Sequence, residues 1–467
     1  MPTLRENIAY KGILTFSNYV LNFVTFPYVT RVLGPSGFGT VDFVNTSVDY
    51  FILFATMGII TIGTREIAFR KNDAKELSIA FSNILGTNIV FTISVLFIYL
   101  ISVLLIPEFR VAKELFYIGS AKIIFTALAV EWFFTGIENF RFITIRSVII
   151  KIFYVIGVFL FIRYPSDYIL YFILTILAFV INSLVNFIYA NRLIKIQYNH
   201  LFTIVYYKSN LKLGSYAIMT SMYISFNVMY LGLVTNNLQV AYYSVAVKLY
   251  FIFLNLFSAF TSVMIPRMSA LASKSEKTLF NHYLNKSFDI VGMLAIPLII
   301  WSSIMAPEII EIISGWEYAS SIIPMRILMP ALLFVWISQV IALQCFIPYK
   351  QDTLLLKASI IGGLLALVLN VLITRNLGAV GSSIVLLSCE VVVTMYYCIN
   401  AIVKKYISIG NIRNIVKGIY IAIPIMVVCF VAKVNDNIYI SFLISIVPFS
   451  FYCIYKFIKY KLQKSVG

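Results

Sequence analysis

Charge is what this sequence has least of. Of its 467 residues only 12% are charged, 36 basic and 19 acidic, whereas 61% are apolar. Soluble globular chains carry about 25% charged and about 45–50% apolar residues. No water-soluble core could hide that excess, so lipid is the solvent for most of the chain. The length alone would suggest about three soluble domains, but no polar stretch is long enough to hold one. Cysteine is scarce too: Cys345, Cys389, Cys398, Cys429 and Cys453 lie in or beside apolar runs and form no Cys-x-x-Cys pair. That spacing argues against a disulfide framework or thiolate metal site and leaves small, buried, apolar residues. Walker A, His-Glu-x-x-His and Gly-x-Ser-x-Gly patterns are missing, which removes ATP hydrolysis and hydrolytic chemistry from consideration. No catalytic residue, metal ligand or cofactor is expected. The two histidines, His200 and His282, fall between apolar runs as surface residues. A cleavable signal peptide is not expected either, because the first apolar run reads straight on as a spanning helix behind Arg5 and Lys11.

What is present is a succession of long apolar runs. Crossing the hydrocarbon takes about 20 residues of helix. Fourteen runs qualify, at 12–30, 41–63, 81–106, 115–136, 143–162, 168–189, 213–235, 240–263, 287–305, 326–347, 355–374, 380–402, 416–432 and 438–457; they are called spans one to fourteen below. With the N-terminus in the cytoplasm, and residues in the first or last turn of a span counted with the adjoining segment, the inner segments hold 26 Lys and Arg and the outer ones 7; Lys122, Lys151 and Lys248, deeper inside spans, complete the 36. Such a bias in short loops sets orientation, with both termini cytoplasmic. It also accounts for the net charge of +17 without nucleic acid. The inner segment 268–286 reads as an amphipathic helix lying on lipid headgroups.

The second half echoes the first. Gly12 and Gly214 are 202 residues apart, as are Arg65 and Arg267; Pro107-Glu108 and Pro307-Glu308 differ by 200, Arg146 and Lys357 by 211. The repeat is therefore six helices. The expected organisation is an N-lobe over 1–199, a C-lobe over 200–410 and two added helices over 411–467. The fold class is an all-α integral membrane protein with two pseudo-symmetric six-helix lobes. Lobes entering from the same side and related by an axis along the membrane normal point to a transporter with its pathway between them.

Polar residues recur at helical spacing in spans one, two, seven and eight. They include Thr15, Asn18, Asn22 and Thr25; Asp42, Asn45, Thr46, Asp49 and Thr56; Tyr216, Thr220, Tyr223, Asn227 and Tyr230; and Ser244, Lys248, Asn255, Ser258 and Ser262. These stripes line a cleft or, alternatively, serve as hydrogen-bonding glue between helices. Ionised groups at membrane depth are costly and mark function. Asp49 and Lys248 sit at similar depth on opposite lobes and are expected either to pair as the cleft closes or to have separate local partners. Lys122 and Glu131, nine apart on span four, each need a partner from another helix. Arg146 and Lys151 form a cationic face suited to phosphate; an internal ion pair is the alternative for Lys151, and snorkelling for Arg146 and Asp289. Arg31, Arg65 and Arg267, near span ends, complete the candidate path.

Residues 25–69, TFPYVTRVLGPSGFGTVDFVNTSVDYFILFATMGIITIGTREIAF, carry an RVLGP turn with Gly37 and Gly39, the pair Tyr50-Phe51, Gly58, Gly63 and a TREIA exit. This block resembles the opening of Wzx-type bacterial polysaccharide and O-antigen flippases, and RNLGAVGSSI (375–384) is similar to that family's turn before span twelve. The resemblance implies a MOP/MATE-like fold in the bacterial inner membrane. It implies transfer of an undecaprenyl-diphosphate-linked oligosaccharide to the periplasmic leaflet, coupled to a H+ or Na+ gradient. Polysaccharide polymerase and chain-length proteins are the partners it implies, beside membrane lipids. A MATE-type cation antiporter and a peptidoglycan lipid-precursor flippase are the rival readings. An acidic pair, Asp42 and Asp49, would serve the antiporter, whereas the lysines of the cleft would repel cationic drugs.

Overall fold

The computed structural model describes the chain apart from residues 1–3, 202–205, 225, 275, 409, 411–414, 416 and 466–467. Among the described residues the regular structure is all helical, and every apolar run falls on helical segments. Among the described residues seven helices are long and apolar enough to cross a bilayer by themselves, and up to nine if each of two bent pairs is one span. Two helices hold a pair of runs each: Leu4–Ala55 carries span one and the start of span two, and Asp352–Val403 carries spans eleven and twelve. Helices are forced here because a spanning segment must satisfy its own backbone groups in hydrocarbon.

Glycine sets the sharpest corners. In R-V-L-G-P-S-G, Gly34 takes φ 64° and ψ 175°, and in R-N-L-G-A-V-G, Gly378 takes φ 55° and ψ −130°. Positive φ at these points suits glycine, and Pro35 then restarts the helix with its missing N–H at no loss. Other ends follow from capping. Asp73 accepts from the N–H groups of Lys75 and Glu76 and starts Ala74–Leu105. That helix stops where Ile106 turns extended ahead of Pro107.

The chain divides into two compact units, Met1–Ala241 and Tyr242–Gly467. In the first, Ile59, Ile62, Ile67, Phe81, Trp132, Phe133 and Phe134 make one buried cluster. A Cβ on Gly63 would lie 2.7 Å from the Trp132 ring, and one on Gly39 would lie 1.9 Å from the Asn237 carbonyl oxygen. In the second, Phe257 stacks on Trp336 at 4.7 Å and Trp301 on Phe449 at 5.3 Å. Large apolar side chains left uncovered, such as Phe97, Leu104, Phe153 and Leu364, face the solvent that suits them, the bilayer. Cys345, Cys389 and Cys429 are buried free thiols; the Cys453 side chain lies outside those described.

One expectation is overturned. Segment 268–286 is not a separate surface helix: Asn237–Ser273 runs on through its first part, and Lys277–Ile304 already includes the rest. The apolar periodicity there belongs to the ends of two long helices.

Candidate cargo-contact site

Span four is broken. Lys113–Thr126 ends, Val130 sits at φ 5° and ψ 33°, and Glu131–Gly136 starts again. The break frees carbonyls that hydrocarbon cannot satisfy. Neighbouring helices supply the donors: Asn186 Nδ2 donates to the Ala129 carbonyl at 2.8 Å, and Asn88 Nδ2 to Ala127 at 3.5 Å. Irregular backbone at membrane depth is a mark of sites in transporters, and two ionic clusters flank this one.

On one side, Lys122 Nζ donates to Asp49 Oδ1 at 2.5 Å and to Asn45 Oδ1 at 3.0 Å, while Asn45 Nδ2 donates to Asp49 Oδ2 at 3.1 Å. Phe179 places its ring 5.7 Å from the ammonium. The Lys122 side chain is only 12% exposed, but that of Asp49 is 48% exposed. The triad is therefore anchored in the fold and open on its carboxylate side. Asp49 has found a local partner, one of the two outcomes expected for it.

On the other side, Arg146 Nη2 donates to Glu131 Oε1 at 2.7 Å and to Ser147 Oγ at 2.9 Å. Lys122 and Glu131 thus each find a partner outside span four. Lys151 is half-buried and has no hydrogen-bond or ion-pair partner among the described residues, so the alternative reading for it, an internal ion pair, is not formed.

Arg65 and the end of span two enter a third cluster. Glu66 receives Arg65 at 3.1 Å, Arg70 at 2.6 Å and the Tyr206 hydroxyl at 3.3 Å, and Lys71 reaches Glu138 at 3.0 Å. Burial alone would raise the Glu66 carboxyl, but the hydrogen bonds from Arg70 and Arg65 hold it below its ordinary value. Burial, then the Glu66 charge, pushes the Tyr206 hydroxyl upward.

The remaining candidates are scattered. Arg31 is exposed beside the Gly34 corner, Asn18, Asp42 and Asn255 are half-buried, and Asn227 is buried. Lys248 is half-buried in the second unit, where Arg267 lies over the Tyr283 ring at 3.8 Å. The side chains of Asn22, Tyr216, Thr220 and Tyr223 lie outside those described. At several positions the packing alternative holds: Thr15, Thr25 and Thr56 donate to their own helices, and Ser258 accepts from Gln339 Nε2 at 3.0 Å. Glu390 is buried, with no hydrogen bond or ion pair among the described residues. Asn88 and Asn186, which close the break, were missed because no Pro or Gly in T-A-L-A-V-E-W announces one. Among the described residues no group of three His, Cys, Asp or Glu could hold a metal ion.

The helical spans, the broken span and the charged clusters at membrane depth define a polytopic membrane protein built as a transporter. The match of residues 4–272 to the family described as "Polysaccharide biosynthesis protein" covers more than half of the sequence, and the chain belongs to that family. A curated Escherichia coli K12 protein named "Putative O-antigen transporter" is 24% identical over 405 residues, covering 84% of this chain and 95% of its own. A Shigella dysenteriae protein of the same name is 24% identical over 399 residues, with 84% and 98% covered. Among solved structures, the lipid II flippase MurJ in an inward closed conformation superposes with TM-score 0.75 at 19% identity over 97% of this chain and 99% of its own. An inward-facing MATE-family multidrug transporter of the MOP superfamily reaches 0.59 at 12% identity, over 83% and 95%. The fold is the one shared with MurJ and this MATE transporter.

Proposed function

We propose that this chain is a flippase carrying an undecaprenyl-diphosphate-linked oligosaccharide from the cytoplasmic to the periplasmic leaflet of the bacterial inner membrane, for O-antigen or another surface polysaccharide. Membership of the polysaccharide biosynthesis family over residues 4–272 carries the reading, and the names of the two enterobacterial relatives agree with it. The resemblance to MurJ speaks for the fold alone. The Lys122–Asn45–Asp49 triad supports the reading chemically. Its ammonium is the cation proposed to receive the diphosphate, with the half-exposed Asp49 as its placeholder until cargo arrives. Transport proceeds by alternating access with both termini cytoplasmic. Glu390, a buried carboxylate without a partner among the described residues, is the group proposed to take a coupling proton.

Deleting the gene in its host tests this. Lipid-linked repeat units should accumulate on the cytoplasmic leaflet, out of reach of membrane-impermeant glycan reagents, while surface glycan disappears. Unchanged glycan with altered sensitivity to cationic dyes would overturn the reading in favour of the antiporter.

A further inference from the structure

The helix Phe140–Phe161 presents Arg141 and Phe142, then Ile145 and Arg146, then Ile149 and Ile150, to a cavity of about 520 Å³ that Asn139, Val185 and Tyr189 close. Pairs recurring every four residues occupy one helical face. The Arg146 side chain is only 4% exposed. Its Nη2 is used by Glu131 and Ser147, but Nε and Nη1 are buried with no hydrogen-bond partner. A guanidinium has five N–H donors and cannot shed its charge, and unpartnered buried donors are costly. Neither atom has surface open to the cavity, so Arg146 lends the site charge, and its spare donors are uncovered only by a shift of the side chain.

The lining says what the cavity suits. Arg141 is exposed at the end of the helix that the charge asymmetry places toward the cytoplasm. Two arginines against Glu131, whose side chain is 57% exposed, leave the site net cationic. Phe142 lies 5.5 Å from the Arg146 guanidinium and stacks on Tyr189 at 4.2 Å, which stiffens one wall. The mouth is hydrocarbon: Ile145 and Ile149 are 45% and 48% exposed. A cationic floor under an apolar, bilayer-facing mouth fits an anion with a hydrocarbon tail. We propose that this cavity binds the phosphate head of a lipid at the cytoplasmic leaflet, with the exposed Arg141 as its donor and the Arg146 guanidinium as a second positive charge in the wall. Lys151 is not part of the lining. The proposal stands apart from the triad on spans two and four and does not need the flippase reading.

Binding to the purified full chain in detergent tests it by native mass spectrometry. The probes are undecaprenyl diphosphate, phosphatidylglycerol, phosphatidylcholine and inorganic diphosphate. The two anionic lipids are expected to bind at least about tenfold more tightly than phosphatidylcholine, whose choline offsets the phosphate charge, or inorganic diphosphate, which has no tail for the apolar mouth; tenfold is about 1.4 kcal/mol. Arg141→Gln and, at the mouth, Ile149→Trp should each remove that preference; neither touches the Arg146–Glu131 pair, so both are expected to fold. Tighter binding of undecaprenyl diphosphate makes the site a loading point for a polyprenyl carrier; tighter binding of phosphatidylglycerol makes it a seat for resident lipid. Phosphatidylcholine or inorganic diphosphate binding equally well overturns the proposal, as does an unchanged preference in both variants. Surface glycan is read separately in cells, so failure here leaves the flippase test intact.

Discussion

The two units solve the problem of polar groups at membrane depth in different ways. In the first, charge meets charge: Lys122 with Asp49 and Arg146 with Glu131. In the second, neutral groups bind one another: Ser287 Oγ donates to Gln344 Oε1 at 2.7 Å, Ser338 meets Thr394 at 2.7 Å, Thr374 Oγ1 donates to Asn370 Oδ1 at 2.8 Å, and Trp301 Nε1 donates to Ser445 Oγ at 3.2 Å. Two of these pairs use π-helical turns, Ala342–Phe346 and Asn370–Thr374, that swing Gln344 and Asn370 inward. Neutral pairs hold helices together and ask little of their surroundings. Ion pairs half-open to the outside, like Asp49 with Lys122, can exchange a partner for a charged ligand. Among the described residues the contrast separates a unit equipped to handle charge from one equipped mainly to hold shape, where the exceptions include the buried Glu390 and the pair Lys433–Glu308 at 3.6 Å.

The largest effect is expected from breaking charge in the first unit. Lys122→Met strips Asp49 of its cation; removing one partner of a buried pair costs about 3–5 kcal/mol, reduced here by the exposure of Asp49. Surface glycan in a complementation assay should fall at least about tenfold. Lys122→Met with Asp49→Asn should restore folded yield, measured by fluorescence-detected size exclusion, yet leave export lost. Restored export would show that the pair is structural glue. Next comes the backbone: Gly39→Val drives its Cβ into the Asn237 carbonyl, and the folded yield should drop severalfold. Glu390→Gln keeps the shape and should leave folded yield unchanged while export loses its response to collapse of the proton gradient. In the second unit, Ser287→Ala with Gln344→Leu removes both hydrogen-bonding partners. Its melting point should fall by only a few degrees, about 1 kcal/mol, with export unchanged; a loss of export would dissolve the contrast. The smallest effect lies at Glu66. Its carboxyl is held low in the folded state, so its stabilisation is full above the ordinary carboxylate range and fades as pH falls through the lowered value. Melting curves of wild type and Glu66→Gln should begin to draw together below about pH 4.3, the ordinary carboxylate value, and meet only below the lowered value of Glu66 itself.

Helices, their apolar faces and the glycine corner at R-V-L-G-P were legible because lipid leaves the backbone no other choice and glycine and proline announce themselves locally. The partner of Lys122 was not: the proximity of spans two and four is a tertiary fact, and Asp49 and Lys248 at equal depth suggested another pairing. Arg146 was legible as a buried cation, but its unused donors depend on where Glu131 sits after a break that nothing in the local sequence marks. Arg141 and Tyr189 passed unnoticed, although the pairs 141/142, 145/146 and 149/150 trace one face. The six-helix repeat concerns sequence offsets, whereas the compact units reflect packing, with a boundary at Ala241.

The corners at Gly34 and Gly378 have a consequence for biogenesis. Only Gly34 and Gly378 leave helical geometry at these corners, so residues 31–40 and 375–379, which join spans one and two and spans eleven and twelve, are themselves wound up and hold no slack loop. Stepwise threading of single helices would find little free chain to feed out between the members of each pair. Insertion of each pair as one unit is the expected route, with Arg31 or Arg375 beside its corner.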